Sequence, residues 1–259
     1  MKLAKVFAGL ISSSVLWAGD ISAYFIGEYR DEANLTKTLS DGGYTVLGSY
    51  TLDEKDGQKT VLFTSKNMID LSQEKGKGFF AIGRAYSNSE KNETRITNPV
   101  YFGKAFLGDK IDDKLQGLVS QIQNIFPNLK NSSDSLKSDD LSEFKFSFGM
   151  PKYNDQVVVS KGDALAEKIK HPVLSFKLND HSVILALDLD KRTKKFVKKI
   201  GSENGLVLPY LVLIENGEAK ILDPKYYIAV SYPKLSMSEF MKIASIPDAI
   251  EKDIAGEFK

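Results

Sequence analysis

Two five-residue strings constrain this chain more than any other feature. Asn98-Pro99-Val100-Tyr101-Phe102 is echoed by Asp223-Pro224-Lys225-Tyr226-Tyr227, a pattern of Asn or Asp, Pro, any residue, Tyr, aromatic. Similar segments precede each copy. Before the first come the apolar run Gly78 to Tyr86, a polar turn, and Thr94-Arg95-Ile96. Before the second come Leu206 to Ile214, the turn Glu215-Asn216-Gly217-Glu218, and Lys220-Ile221-Leu222. Asn-Gly between apolar runs is a strong hairpin signal because both residues tolerate positive φ. Each string is therefore expected to close a hairpin, and a self-similar order of elements points to an internal repeat.

The match extends in both directions. Asp31–Asp41 and Asp163–Lys170 read as helices that lead to strands Tyr44–Thr51 and Pro172–Lys177. Lys59–Phe63 and Ser182–Leu187 read as strands followed by helices over Asn67–Glu74 and Lys191–Ile200. Behind the first hairpin, Leu115, Leu118, Val119, Ile122, Ile125 and Phe126 recur at helical spacing. Behind the second, Ser236 and Glu239 form a capping box, and Pro247 should break or kink the helix. The expected fold is α+β, with two tandem domains in β-α-β-β-α-β-β-α order. Each is a mainly antiparallel sheet with helices packed on one face. The first repeat is expected over residues 20–127 and the second over 144–259. The polar, Ser-rich segment 128–143 reads as a linker.

Gly42-Gly43-Tyr44-Thr45-Val46, where a helix end opens the second strand, and the hairpin closures through Pro99 and Pro224 resemble the domain-of-unknown-function family numbered three-zero-two. The resemblance implies two copies of a sheet with helices on one side, covering nearly the whole chain after its leader. It implies no activity and carries no catalytic residues.

Residues 1–18 read as a cleavable signal peptide: Lys2 and Lys5 precede a mostly apolar run, Val6 to Trp17, that is too short to span a bilayer. The expected address is the periplasm, with no transmembrane anchoring of the mature chain. Thirty-five Lys and Arg against 34 Asp and Glu give a net charge of +1, so no global field favours nucleic acid. With no cysteine and two histidines, the sequence excludes disulfides, thiol nucleophiles and zinc–thiolate sites. No pattern calls for a cofactor or a metal.

Within these bounds, Val183 to Thr193 is the string most suggestive of catalysis. An apolar strand ending in Asp188-Leu189-Asp190 resembles haloacid-dehalogenase-like phosphatases, in which paired aspartates act beside Mg²⁺. Aspartates at a strand-to-helix turn are also natural N-caps, and capping is the expected role here. Lys191, Arg192, Lys194, Lys195, Lys198 and Lys199 make the following helix basic; Lys194, Lys195 and Lys198 are the candidates for an anion site. Tyr101, Phe102, Tyr226 and Tyr227 either fill the core or line a cleft between the halves. Asn34 and Asn92 stand in N-glycosylation acceptor tripeptides. Taken together, the residues point to a non-catalytic module that binds a small molecule or an envelope protein. A phosphate-ester hydrolase using Asp188 and Asp190, or a structural or adhesion component of the envelope, are the alternatives.

Overall fold

The structure is a computed structural model that describes residues 19–53, 57–109 and 112–259. Residues 1–18, read above as a signal peptide, lie outside them. The first half runs β1 (Asp20–Ser22), β2 (Tyr24–Glu28), α1 (Glu32–Asp41), β3 (Thr45–Asp53), β4 (Gln58–Thr64), α2 (Lys66–Leu71), a 3₁₀ turn (Gly78–Ala81), β5 (Gly83–Asn88), β6 (Glu93–Thr97), α3 (Pro99–Leu107) and α4 (Asp112–Ile125). Two short strands follow, β7 (Lys130–Asn131) and β8 (Ser135–Lys137). The second half runs β9 (Val157–Lys161), α5 (Leu165–Lys168), β10 (Leu174–Asn179), β11 (Ser182–Leu187), α6 (Lys191–Lys194), α7 (Phe196–Ile200), a 3₁₀ segment (Ser202–Val207), β12 (Tyr210–Glu215), β13 (Glu218–Ile221), α8 (Pro224–Ser231), α9 (Met237–Lys242) and α10 (Ile246–Glu257).

The fold is α+β with two main antiparallel sheets and a two-stranded β1-β8 pair. The first is ordered β3-β4-β5-β6-β2-β7 and the second β10-β11-β12-β13-β9. Apart from β7, the orders agree strand for strand. Local chemistry explains the turns. Asn216 (φ 52°) and Gly217 (φ 71°) form the two-residue hairpin that joins β12 to β13, with Glu215 opposite Glu218. The two repeated strings do more than close hairpins. Asn98 and Asp223 each cap a helix by accepting from the backbone N–H two residues on, and Pro99 and Pro224 occupy the first turn. Proline suits that position because its missing N–H has no partner there.

Several expected elements take a different form. The apolar runs at 78–86 and 206–214 are not continuous strands, since each begins in 3₁₀ conformation where it meets the opposite half. The helix expected over 191–200 turns at Lys195, so that Thr193, Phe196 and Val197 are all buried. The helix expected over 163–170 shrinks to one turn, because Gly162 and Ala164 adopt positive φ and His171-Pro172 follows. Pro247 starts α10 instead of breaking α9, whose Ser236–Glu239 capping box is present. Segment 128–143 carries β7, which pairs with β2, and β8, which pairs with β1.

The interior is one hydrophobic cluster that runs through both halves. On one side of the first sheet, Leu35 and Leu39 of α1 and Leu118 and Ile122 of α4 cover Val61, Phe63, Ala85 and Ile96, all fully buried or nearly so. On the other side the halves meet, and their contacts come in matched pairs. Tyr101 Oη donates to Val230 O (2.7 Å), and Tyr226, its counterpart in the repeated string, donates to Ala105 O (3.4 Å). Gly78 lies under Leu213, while Gly205 lies under Tyr86; a Cβ on either glycine would stand 2.6 Å from that side chain. Tyr86 and Leu213 are each the fourth residue of their strand, β5 and β12. These pairs are what a two-fold, self-complementary contact produces.

Candidate functional site

Tyr101, Phe102, Tyr226 and Tyr227 lie in the joint between the halves, all buried. Tyr101 and Tyr226 spend their hydroxyls on backbone carbonyls across the joint, and Tyr210 and Tyr227 meet edge to face at 5.4 Å. Burial pushes the hydroxyls of Tyr101, Tyr226 and Tyr227 above the usual phenol range, so they stay neutral hydrogen-bond groups. Phe102 and Tyr227 line a cavity of ~30 Å³, room for about one or two waters. The contacts of the four aromatics are those of side chains packed in the core of the joint.

The Asp188-Leu189-Asp190 turn is at the surface beside the joint. Asp188 does not cap α6. Its Oδ1 accepts from Tyr50 Oη of the first half (2.5 Å) and from Leu189 N (2.9 Å), while Oδ2 pairs with Lys194 Nζ (2.7 Å). Asp190 stands at the N-cap of α6 but makes no side-chain cap hydrogen bond. Its backbone N–H donates to Asp253 Oδ2 instead (3.1 Å). The expected double N-cap is thus replaced by a cross-joint bridge, because β3 brings Tyr50 within reach. Burial pushes the Tyr50 hydroxyl well above the phenol range, and the hydrogen bond to Asp188 raises it further. Among the described residues no group of three or more His, Asp or Glu is arranged to hold a metal ion.

Lys191, Lys194, Lys195 and Lys198 converge on a groove of about 320 Å³ with Leu52 and Val197 as its apolar floor. Lys194 is half-buried, paired with Asp188, and stands 5.8 Å from the centroid of the Tyr50 ring. Lys191, Arg192, Lys195 and Lys199 are exposed and have no ion pair among the described residues. The groove exists because the helix turns at Lys195: Phe196 and Val197 face inward while the ammonium groups stay along the rim. Sequence reasoning found these lysines from charge density. It did not find Leu52, which arrives from the first half through tertiary packing.

Asn34 is exposed on the first turn of α1, and Asn92 is exposed in the β5–β6 turn with φ 51°. Both acceptors are at the surface. No described helix is long and apolar enough to cross a membrane. No protein-family model, curated protein or solved structure matches this chain.

Proposed function

We propose that this chain is an exported, non-catalytic binding protein made of two duplicated α+β units. We further propose that its ligand is a small amphipathic anion, with an apolar body and a carboxylate or phosphate head, held in the groove of α6 and α7. The observation that carries this reading is the pairing of a Leu52–Val197 floor with ammonium groups on the rim, in a groove of ligand size. The floor takes the apolar body, and Lys191 and Lys195 offer charge that no described carboxylate neutralises. The matching order of the five shared strands of the two sheets and the matched contacts at the joint support the duplication.

The test is calorimetric titration of the purified protein with decanoate and decyl phosphate, using decanol and inorganic phosphate as controls. The expected result is saturable binding of both tailed anions and weak or no binding of either control. Lys191→Gln with Lys195→Gln should weaken that binding about tenfold or more, since a charge-assisted hydrogen bond contributes roughly 1.5–3 kcal/mol. Decanol binding as tightly as decanoate, or a double variant that binds like wild type, would overturn the assignment.

A further inference from the structure

Arg84 is 5% exposed and lies in the joint, yet no carboxylate of the described residues comes within 4.0 Å of it. Its Nη2 donates to Pro209 O (3.0 Å), and its guanidinium carbon stands 5.7 Å from the centroid of the Tyr227 ring. Nε has no hydrogen-bond partner. A guanidinium keeps its charge at any pH a folded protein meets, and burying it without an anion costs several kcal/mol. One carbonyl and one aromatic face offset only part of that cost.

Arg84 lines two neighbouring cavities, of ~30 Å³ and ~10 Å³, which also share Phe79, Phe106 and Tyr227. Asn98 and Pro99 bring the N-terminal end of α3, the positive end of its dipole, to the wall of the larger one. Asn98 Oδ1 accepts from Val100 N, and Nδ2 donates one of its two N–H groups to Ser22 O. Packing alone does not require a cation here. Arg84 is the second residue of β5, and the second residue of β12 is Leu211, buried in the same joint.

We propose that the joint holds one small monovalent inorganic anion of chloride size, bound to the Arg84 guanidinium. Water would satisfy Nε but leave the charge uncompensated, whereas an anion does both. The small size of both cavities favours a monatomic anion over phosphate or an organic carboxylate, which separates this site from the lysine groove.

The test uses the purified protein in two forms. Crystals of wild type soaked in bromide should show an anomalous peak within hydrogen-bonding reach of Arg84 Nε. In solution, replacing gluconate by chloride at constant ionic strength should raise the melting temperature by about 3 °C for each tenfold increase above the dissociation constant. Arg84→Met should remove that dependence while still folding, because it replaces a buried charge by an apolar side chain of similar length. Density that refines as water with no bromide peak overturns the proposal, as does equal chloride dependence in Arg84→Met. A bromide peak without chloride dependence in solution marks an adventitious ion only and overturns it too. If Arg84→Met fails to fold, the wild-type bromide map and chloride series decide.

Discussion

Gly205→Ala tests the joint at its tightest point. A Cβ there would lie 2.6 Å from Tyr86 Cζ and 2.7 Å from both Cε2 and Oη. The Tyr86 ring has no room to retreat: it is fully buried, and its hydroxyl donates to Ser202 O at 2.7 Å, within the same 3₁₀ segment as Gly205. Overpacking a core site by one methyl costs about 1–3 kcal/mol, and forcing the ring aside also sacrifices a hydrogen bond of about 1 kcal/mol. The lower entropy of the unfolded alanine chain returns roughly 0.5 kcal/mol. The net loss should be about 2–3 kcal/mol, read as a fall of about 1 M in the urea midpoint by circular dichroism. In a Tyr86→Ala background the same substitution should cost almost nothing, because the ring it strikes is gone. Unfolding should stay a single transition, since one hydrophobic cluster spans both halves. A cost below about 0.5 kcal/mol in wild type, the same cost in both backgrounds, or separate melting of the two halves would refute the shared-core reasoning.

Two further substitutions probe other contacts. Tyr50→Phe removes the hydroxyl that reaches Asp188 across the joint and should destabilise by about 1 kcal/mol, the half-exposed carboxylate limiting the loss. Asp188→Asn should add little further loss in that background, and additive losses in the double variant would show that the two groups are not coupled. Glu32 is bound by Lys59 and Ser49, which hold its carboxyl below the usual carboxylate range. Its stabilisation is present above the unfolded value and fades as pH falls through the folded one. Glu32→Gln should therefore cost under about 1 kcal/mol at pH 7, a cost that fades as pH falls through the lowered carboxyl value, and a pH-independent cost in urea titrations would contradict the linkage.

How much of this could be read from the chain depends on whether the signal is local. The helices over 32–41 and 112–125, the capping box at Ser236 and the Asn216-Gly217 hairpin depend on neighbours within four residues, so periodicity and turn chemistry find them. α3 and α8 also had a local signal, an N-cap followed by Pro, which the hairpin reading passed over. By contrast, the 3₁₀ conformation at Gly78 and Gly205 is set by side chains of the opposite half, Leu213 and Tyr86. The same holds for the site. The lysines at 191–199 stand out in the sequence, whereas the Tyr50–Asp188 bridge, the Leu52 floor and the solitary guanidinium of Arg84 exist only once the halves dock.

The docking surfaces also differ in a way that a symmetric dimer could not sustain. On the joint-facing side of the first sheet stand Thr60, Arg84 and Tyr86; their counterparts in the second sheet are Ile184, Leu211 and Leu213. A contact between identical chains must complement itself, so each face carries the same residues, while a duplicated chain is free to make one face polar and its partner apolar. The difference between the two faces has a cost. Gln58 Oε1, Thr60 Oγ1, Thr64 Oγ1, Arg84 Nε and Arg95 Nη1 are buried without hydrogen-bond partners among the described residues, and the strands of the second sheet contribute no such atom. Each orphan costs about 1–3 kcal/mol if left dry. Five on one face add up to a cost comparable with the whole stability of a marginally stable fold. The first-sheet side of the joint is therefore where water or an ion belongs, and Arg84 is the position there whose charge requires the ion.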